Sequence, residues 1–438
     1  MNLSILLWIF IGIVIGLMMV VLNPGFGIGI PVLSLFVSIF FVNPLFAILY
    51  LIFIRPIINV LVETTNISYT ASLSINLLGI LNVCLSLVCS VYIMMNKVRI
   101  FKLPIATPYI IFLLINLISL FLTSDVGIGI KRWLILALPF IIYIVITNCV
   151  KTKRQITFLI NTIVLSGIIP CLIGLYEFFT KIDKFDFAGS CRLMSTFLSS
   201  NFFGIYLTLI LLIGIIIFIQ YPIFSFQKSI MGLICLITLI CLFLTFSRGS
   251  WIGFGGGILV IALLRYRSLL LFSLVLLIIS LPTILIRFED TSTFISRIAL
   301  WKVGLNLFLD SPIIGMGIGT SELIMMHIFE GFSKGERVHI HNEYLRFAVD
   351  TGVIGLGAFL WILITIIRHA INVYKNTSDS YLQNITLSFI AIFTAYIIMS
   401  MNESIYCVPV FLWIFYAHAA ILYVIPKIER ENKMVDKL

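Results

Sequence analysis

The sequence predicts an all-α integral membrane protein with about 12–14 transmembrane helices and one large helical extracytoplasmic loop. Of the 438 residues, 61% are hydrophobic and only 11% are charged, against roughly 25% charged residues in an ordinary globular domain. The apolar residues also come in blocks of about 20, the length that an α-helix needs to cross roughly 30 Å of hydrocarbon. A soluble fold could not bury this much apolar surface.

The order of the blocks predicts three regions. Residues 1–286 form an N-terminal transmembrane bundle of about 11 spans. Residues 287–344 form an extracytoplasmic loop with short helices, and residues 345–438 form a C-terminal bundle of about three spans with a cytoplasmic tail. Asn43-Pro44 and Arg55-Pro56 interrupt the second and third blocks, which predicts re-entrant or bent helices there.

The first block, 3–22, lacks a basic leader and a small-residue cleavage site. We therefore expect a retained membrane helix and not a signal peptide.

The basic residues predict the orientation in the membrane, because Lys and Arg are retained on the cytoplasmic side. They cluster in five joints that fall on one side if every span crosses once, so both termini are expected in the cytoplasm. The five clusters are Lys97, Arg99 and Lys102; Lys151, Lys153 and Arg154; Arg265 and Arg267; Arg368 and Lys375; and the tail from Lys427. Four segments are then expected outside: 124–132, 178–200, 247–249 and 287–344.

Composition argues against several function classes. The net charge of +10 is scattered over short loops and forms no basic stripe with interleaved aromatic residues, so nucleic acid is not an expected partner. Membrane topology and anionic lipid explain the charge better. The chain has no GxxxxGK phosphate loop, HExxH pair or calcium loop, and its eight cysteines form no C-x-x-C pair. No metal site is therefore predicted.

The 287–344 loop is the largest polar segment, and its sequence predicts order. Residues 293–310 are typical of an amphipathic or buried helix that ends before Pro312, and residues 320–332 of a second helix. Between them lies GMGIG, whose glycines allow a tight turn or a close approach to a ligand. A plain turn is the preferred interpretation of this motif.

The loop ends in VHIHNEYLRFAVDTGVIGL, which places His339 and His341 where the chain re-enters the membrane. A histidine is well matched to take a proton from a hydroxyl near neutral pH. The alternative is an interfacial histidine that bonds the start of the helix. Glu343 either orients the imidazole or favours the helix N-terminus through the dipole.

Several arginines lie in the segments predicted to be outside, against the charge rule. They are Arg192, Arg248 and Arg297, with Lys131-Arg132 at the start of a span. Guanidinium groups match phosphate oxygens in a bidentate way, so a cluster of them predicts a pyrophosphate-bearing lipid substrate. Each one alone is also explained by contact with lipid head groups.

The motifs in this half of the chain resemble the O-antigen ligase and O-antigen polymerase superfamily. They are Arg192-Leu-Met-Ser-Thr-Phe with Asn201-Phe, TFSRGSWIGF around Arg248, Arg297-x-x-x-Trp301 leading to SPIIGMGIG, and HNEYLRFAVDTGVIGL from His341. The resemblance covers about half of the chain, from the 178–200 loop onward. The N-terminal spans add only hydropathy.

The resemblance implies a multispanning, inverting glycosyltransferase of surface polysaccharide biosynthesis, without a metal, other cofactor or nucleotide-sugar requirement. Such an enzyme moves saccharide from undecaprenyl pyrophosphate to a hydroxyl of an acceptor glycan, at the outer face of the bacterial cytoplasmic (inner) membrane. Membrane lipid and other polysaccharide assembly proteins are further expected partners. The superfamily's histidine base falls on His341 and its pyrophosphate-binding arginines on Arg192, Arg248 and Arg297. His339, Glu343 and Arg132 are expected to support them.

The ligase and polymerase branches share these signals, and the polymerase is preferred. The alternative within the superfamily is an O-antigen ligase that joins polysaccharide to lipid A core. A flippase or transporter is the alternative from another class, although transporters usually keep ionisable groups near the bilayer midplane. A purely structural assembly scaffold would tolerate neutralisation of the loop charges.

Overall fold

The computed structural model describes residues 24–60, 67–68, 74–75, 77–180, 192–197, 199–271, 273–274, 278, 292–328 and 339–435. These residues are almost entirely helical, apart from two short antiparallel strands that place Ile67 opposite Ile75. The α-helices within the described ranges are α1 (Pro24–Val42), α2 (Pro44–Ile54), α3 (Leu77–Met95), α4 (Ala106–Ile118), α5 (Val126–Cys149), α6 (Lys153–Leu165), α7 (Ile168–Thr180), α8 (Ser200–Gln220), α9 (Phe226–Leu244), α10 (Arg248–Leu264), α11 (Ser292–Asp310), α12 (Thr320–Ile328), α13 (Glu343–Asn376), α14 (Ser380–Ser400) and α15 (Pro409–Val435). Short 3₁₀ turns lie at Ile58–Val60, Ile100–Lys102, Ser119–Phe121 and Ile405–Cys407, and the two strands are β1 (Ile67–Ser68) and β2 (Ser74–Ile75).

Seven helical segments in the described ranges are long and apolar enough to cross a membrane: α5, the pair α6 and α7, α8, α9, α13, α14 and α15. Shorter apolar helices accompany them, among them α2, α10 and the segment Ala106–Phe121. The predicted class, an all-α membrane protein, is confirmed. The predicted total of about 12–14 spans includes 4–22, which lies outside the described residues, and 268–286, which lies mostly outside them.

The predicted interruptions of the apolar blocks are present. The side chain of Asn43 accepts hydrogen bonds from the backbone N–H of Leu45 (3.1 Å) and Phe46 (3.3 Å) and so caps α2. Pro44 occupies the first turn, where a missing N–H costs nothing. Helix α2 ends at Ile54, immediately before Arg55. The second and third blocks are thus two short helices joined at Asn43.

Small residues bring α10 close to its neighbours, which sets the position of Arg248 at the start of that helix. A Cβ atom on Gly253 would lie 3.3 Å from the carbonyl oxygen of Ala395 on α14, and one on Gly257 would lie 3.1 Å from that of Ala391. Two glycines four residues apart therefore let α10 and α14 pack backbone to backbone, as small residues commonly do between membrane helices.

The joints that carry the basic clusters meet at one end of the bundle. Lys153 Nζ lies 2.5 Å from Asp379 Oδ2, and Arg265 Nη2 lies 2.8 Å from Ser380 Oγ. Glu429 accepts a hydrogen bond from the backbone N–H of Ser378 at 2.8 Å. The candidate site residues lie at the opposite end. The assignment of the basic end to the cytoplasm stays a prediction from the charge rule.

The loop helices at 293–310 and 320–332 were predicted, and the structure has α11 and α12 there; residues 329–332 of the second prediction lie outside the described residues. The intervening Gly315, Gly317 and Gly319 all have positive φ, at +73°, +100° and +84°. A Cβ atom on Gly315 would lie 2.4 Å from the backbone nitrogen of Thr351 on α13. The GMGIG segment is therefore a turn packed tightly onto α13, which is itself kinked at Gly352 (φ +64°).

Candidate functional site

Contacts connect the segments predicted to be outside to one another, to the residue Thr245 beside them, or to a fifth segment, 401–408. Arg192 Nε donates to the carbonyl oxygen of Thr245 at 2.9 Å. A Cβ atom on Gly249 would lie 3.6 Å from the Cβ atom of Asn402, and Arg132 pairs with Glu322. The fold therefore gathers residues from α5, α8, α10, α11, α13 and the α14–α15 joint at one end of the bundle.

His341 lies at the entry to α13 and is bonded to Glu403. Its backbone adopts a left-handed conformation (φ +51°), and the following Asn342 caps the helix by accepting from the N–H of Leu345 at 3.1 Å. His341 Nδ1 lies 2.5 Å from Glu403 Oε1. The histidine side chain is 28% exposed and the glutamate side chain 6% exposed. A buried carboxylate thus holds one ring nitrogen of a partly accessible imidazole.

The second oxygen of Glu403 is also occupied. Asn201 Nδ2 donates to Oε2 at 3.1 Å, and Arg297 Nη2 lies 3.7 Å from the same oxygen. Burial alone would raise the pKa of Glu403, but the hydrogen bond from His341, the charge of Arg297 and the charges that His341 and His339 carry in acid outweigh it. The net result lowers the pKa of Glu403 to about 2. The carboxylate is therefore ionised at neutral pH.

The three arginines differ in exposure and in how much of each guanidinium group is already bonded within the protein. Arg192 is buried and donates from Nε to Thr245 and from Nη2 to Asn201 Oδ1, the latter at 2.9 Å. Arg248 is half-buried at the first residue of α10 and has contacts within the protein. Arg297 is 24% exposed, and its pair with Glu403 is loose. Arg297 is therefore better placed than Arg192 to contact an incoming anion.

Arg297 reaches the site because α11 packs onto the start of α13. A Cβ atom on Gly304 would lie 2.9 Å from Leu345 Cδ2 and 3.4 Å from Ile340 Cδ1. Gly304 lies two turns after Arg297 on the same helix face. The close packing at Gly304 therefore places Arg297 beside the segment that carries His341.

The predicted supporting residues form a second group behind His341. The ring centroids of His339 and His341 are 6.4 Å apart. Arg132 Nε donates to Glu322 Oε2 at 2.7 Å, and both side chains are buried. Burial, Arg132 and His341 lower the pKa of His339 to about 4. His339 is therefore neutral at physiological pH.

Glu343 lies close to His341 in sequence but bonds other groups. One of its oxygens pairs with Arg346, and the other accepts from the backbone N–H of Tyr406 at 2.9 Å. Of the two roles considered for Glu343, orienting the imidazole belongs to Glu403 in this structure. Glu343 instead connects the first turn of α13 to the 401–408 segment.

Comparison with known proteins agrees with the motifs. Residues 233–360 match a family model described as O-Antigen ligase. The predicted resemblance to the O-antigen ligase and polymerase superfamily is confirmed. The chain is also 30% identical over 90 residues to the exopolysaccharide production protein ExoQ of Rhizobium meliloti (strain 1021). That segment covers 18% of this chain and 19% of the relative, so the chain matches less than a fifth of the relative's length.

The superfamily match contains Arg248, Arg297 and His341 but ends before Glu403 and begins after Arg192. The fold alone therefore joins Glu403 to the candidate site, whereas Arg192 was also predicted from the motif that contains it. Sequence reasoning missed Glu403. The available signal was a single acidic residue, in Asn402-Glu403-Ser404, between the last two apolar blocks.

Within the residues that the structure describes, no group of three or more His, Cys, Asp and Glu side chains is arranged to hold a metal ion. The chemistry that this arrangement supports is proton transfer at His341 beside guanidinium groups.

Proposed function

We propose that this protein is a membrane glycan polymerase that joins saccharide units carried on undecaprenyl pyrophosphate, at the outer face of the bacterial cytoplasmic membrane. The observation that carries the proposal is the contact of 2.5 Å between His341 Nδ1 and Glu403 Oε1, with Arg297 at 3.7 Å from the second oxygen. The contact combines an oriented base with a nearby cation, and both His341 and Arg297 lie within the residues that match the family model.

The geometry suggests the role of each ring nitrogen. If Nδ1 donates its proton to Glu403, Nε2 carries the lone pair and accepts a proton from the acceptor hydroxyl. The hydroxyl oxygen attacks the anomeric carbon, the bond from that carbon to the pyrophosphate oxygen breaks, and undecaprenyl pyrophosphate leaves with the electron pair. Glu403 stabilises the imidazolium that forms, as the carboxylate does in a catalytic triad. Attack opposite the leaving group inverts the anomeric configuration.

The guanidinium groups serve the leaving group in this scheme. Pyrophosphate needs neutralisation of its growing negative charge more than it needs a proton, and fixed cations supply this stabilisation. Arg297 and Arg248 are assigned to the diphosphate. Arg192 is assigned a different role, because its Nε and one terminal nitrogen already donate to Thr245 and Asn201.

A ligase is the second candidate, because the matching family model is described as O-Antigen ligase. The relative's name, exopolysaccharide production protein, is compatible with either reaction. A transporter is less well supported, since His341 and Glu403 lie on connections outside the helices and not at the bilayer midplane.

The test is a transfer assay with purified protein in lipid nanodiscs. The donor is the lipid-linked oligosaccharide extracted from membranes of a source strain that lacks this gene, offered with and without an acceptor glycan from the same cells. A ladder of products supports the polymerase, a single transferred block the ligase, and the absence of any new glycosidic bond would refute both.

The variant His341→Ala should abolish transfer while leaving membrane insertion and yield unchanged. His327→Ala is the matched control, because His327 is exposed and its ring bonds Leu323 O of its own helix, at 2.8 Å. We expect this control to keep full activity. Full activity in His341→Ala would exclude the proposed base.

A further inference from the structure

We propose that Asn201 is a positioning residue that holds Glu403 in the orientation required by His341 and keeps Arg192 from pairing with that carboxylate. This inference rests on the proposed function, because it concerns the base of the proposed transfer reaction. It assigns Arg192 an indirect role through Asn201, in place of contact with the diphosphate.

The contacts define the orientation of the Asn201 side chain. Its Oδ1 accepts from Arg192 Nη2 at 2.9 Å, and its Nδ2 donates to Glu403 Oε2 at 3.1 Å. The reverse amide orientation would place its NH₂ group against the guanidinium and its oxygen against the carboxylate, which repels on both sides. Only one orientation satisfies both neighbours.

The position of Asn201 in the chain is also fixed. It lies in the first turn of α8, where the side chain of Ser199 caps the helix by accepting from the N–H of Phe202 at 3.2 Å. The preceding segment is anchored to the end of α2, since Thr196 donates to Pro56 O at 2.7 Å and Asn59 donates to Thr196 O at 3.1 Å. The amide therefore approaches Glu403 from a well-supported backbone.

Removal of this amide would change the charge balance at the carboxylate. The charged or titratable groups acting on Glu403 are His341, Arg297 and His339, and Arg192 lies directly behind Asn201. With Asn201 present, one carboxylate oxygen is reserved for His341 Nδ1. Without it, Arg192 could move toward Glu403 as a second guanidinium, turn the carboxylate from the histidine and neutralise it. The amide acts as a neutral spacer between two opposite charges.

The first test is Asn201→Ala in the nanodisc transfer assay with the extracted lipid-linked donor. Loss of one hydrogen bond to a charged group predicts a fall in kcat of about tenfold. The donor KM should stay within about twofold, because the amide does not contact the donor in this scheme. A variant that lost diphosphate binding would instead raise the donor KM.

The second test is Asn201→Asp, which keeps the shape but replaces the donor with a second carboxylate about 3 Å from Glu403. Two carboxylates this close cannot both ionise freely, so one takes up a proton more readily. A protonated Asp could donate to Glu403 as the amide does. The activity ratio of this variant to wild type should therefore rise as the pH is lowered, whereas a purely structural amide predicts a constant ratio.

The matched control is Asn384→Ala, a buried asparagine at the opposite end of α14 whose amide oxygen accepts from the Tyr266 hydroxyl at 3.0 Å. We expect wild-type kcat and an unchanged pH profile. Unchanged kcat in Asn201→Ala together with a constant ratio in Asn201→Asp would overturn the inference, if His341→Ala is inactive in the same assay. Activity in His341→Ala would instead refute the proposed function.

Discussion

Replacement of Glu403 by Gln should destabilise the protein measurably, because the structure favours the charged form of this side chain. The pKa of Glu403 is lowered from 4.5 to about 2. This difference corresponds to about 3 kcal/mol in favour of the carboxylate over its neutral form in the folded state. Gln has the size of the protonated carboxyl group. We therefore expect Glu403→Gln to lower the free energy of unfolding at neutral pH by up to about 3 kcal/mol, an upper value because His339 is then neutral.

The direction of the pKa shift predicts how the stabilisation by Glu403 changes with pH. Because the folded pKa lies below the unfolded value, the stabilisation is present above pH 4.5 and is lost as the pH falls toward about 2. The apparent unfolding temperature in detergent, read from tryptophan fluorescence, should be several degrees lower for the variant at pH 7.5 (about 2–4 °C per kcal/mol). The apparent unfolding temperatures of wild type and variant should become equal in acid.

Glu429→Gln is the control, because Glu429 accepts from the backbone N–H groups of Ser378 and Asp379 at the basic end of the bundle. Its amide oxygen can still accept, so little change is expected. Equal stability of wild type and Glu403→Gln at pH 7.5, or a difference that persists unchanged in acid, would refute the reasoning.

Three further predictions concern donor binding, the glycine turn at Gly317 and the orientation in the membrane. Arg297→Lys should raise the donor KM roughly tenfold, since an ammonium cannot make the bidentate contact of a guanidinium; an unchanged KM would contradict the diphosphate assignment. Gly317→Ala should lower the unfolding temperature, because its Cβ atom would lie 2.3 Å from neighbouring backbone, whereas Gly255→Ala, with nothing within 4 Å, should not. On intact cells, and in a variant whose eight native cysteines are replaced, a membrane-impermeant maleimide should label Asp310→Cys but not Lys375→Cys, and the opposite pattern would reverse the predicted orientation.

Hydropathy and local motifs predicted much of the fold because they act within a few residues. The interruption at Asn43-Pro44 was readable because an asparagine cap and a proline in the first turn start a helix by local hydrogen bonding. The break between α6 and α7 was not predicted. A local signal was present in Pro170, which cannot donate to the carbonyl of Ser166 four residues earlier. Ser166 also bonds the distant Tyr206 hydroxyl, a contact that no local pattern reveals.

The site was predicted in part for a similar reason. His341 and the arginines stood out because polar residues at the ends of apolar blocks are costly and few. The orienting carboxylate did not, because proximity in sequence favoured Glu343 over Glu403. His341 precedes α13 in a left-handed conformation and only Glu343 lies on the helix, where its carboxylate bonds Arg346 and the backbone N–H of Tyr406. Glu403 is 62 residues from His341 in the sequence, and the packing of α13 against α14 brings the two residues together.

The arrangement links donor binding to the base in the proposed reaction. Arg297 Nη2 is 3.7 Å from Glu403 Oε2, beyond ordinary hydrogen-bond length, while His341 is bonded to Oε1 at 2.5 Å. A diphosphate carries more negative charge than one carboxylate, so it would draw Arg297 away from Glu403. The carboxylate would then keep more of its charge for the imidazolium that forms at His341. Donor binding would thus favour proton removal from the acceptor, and transfer would begin only after the donor has bound.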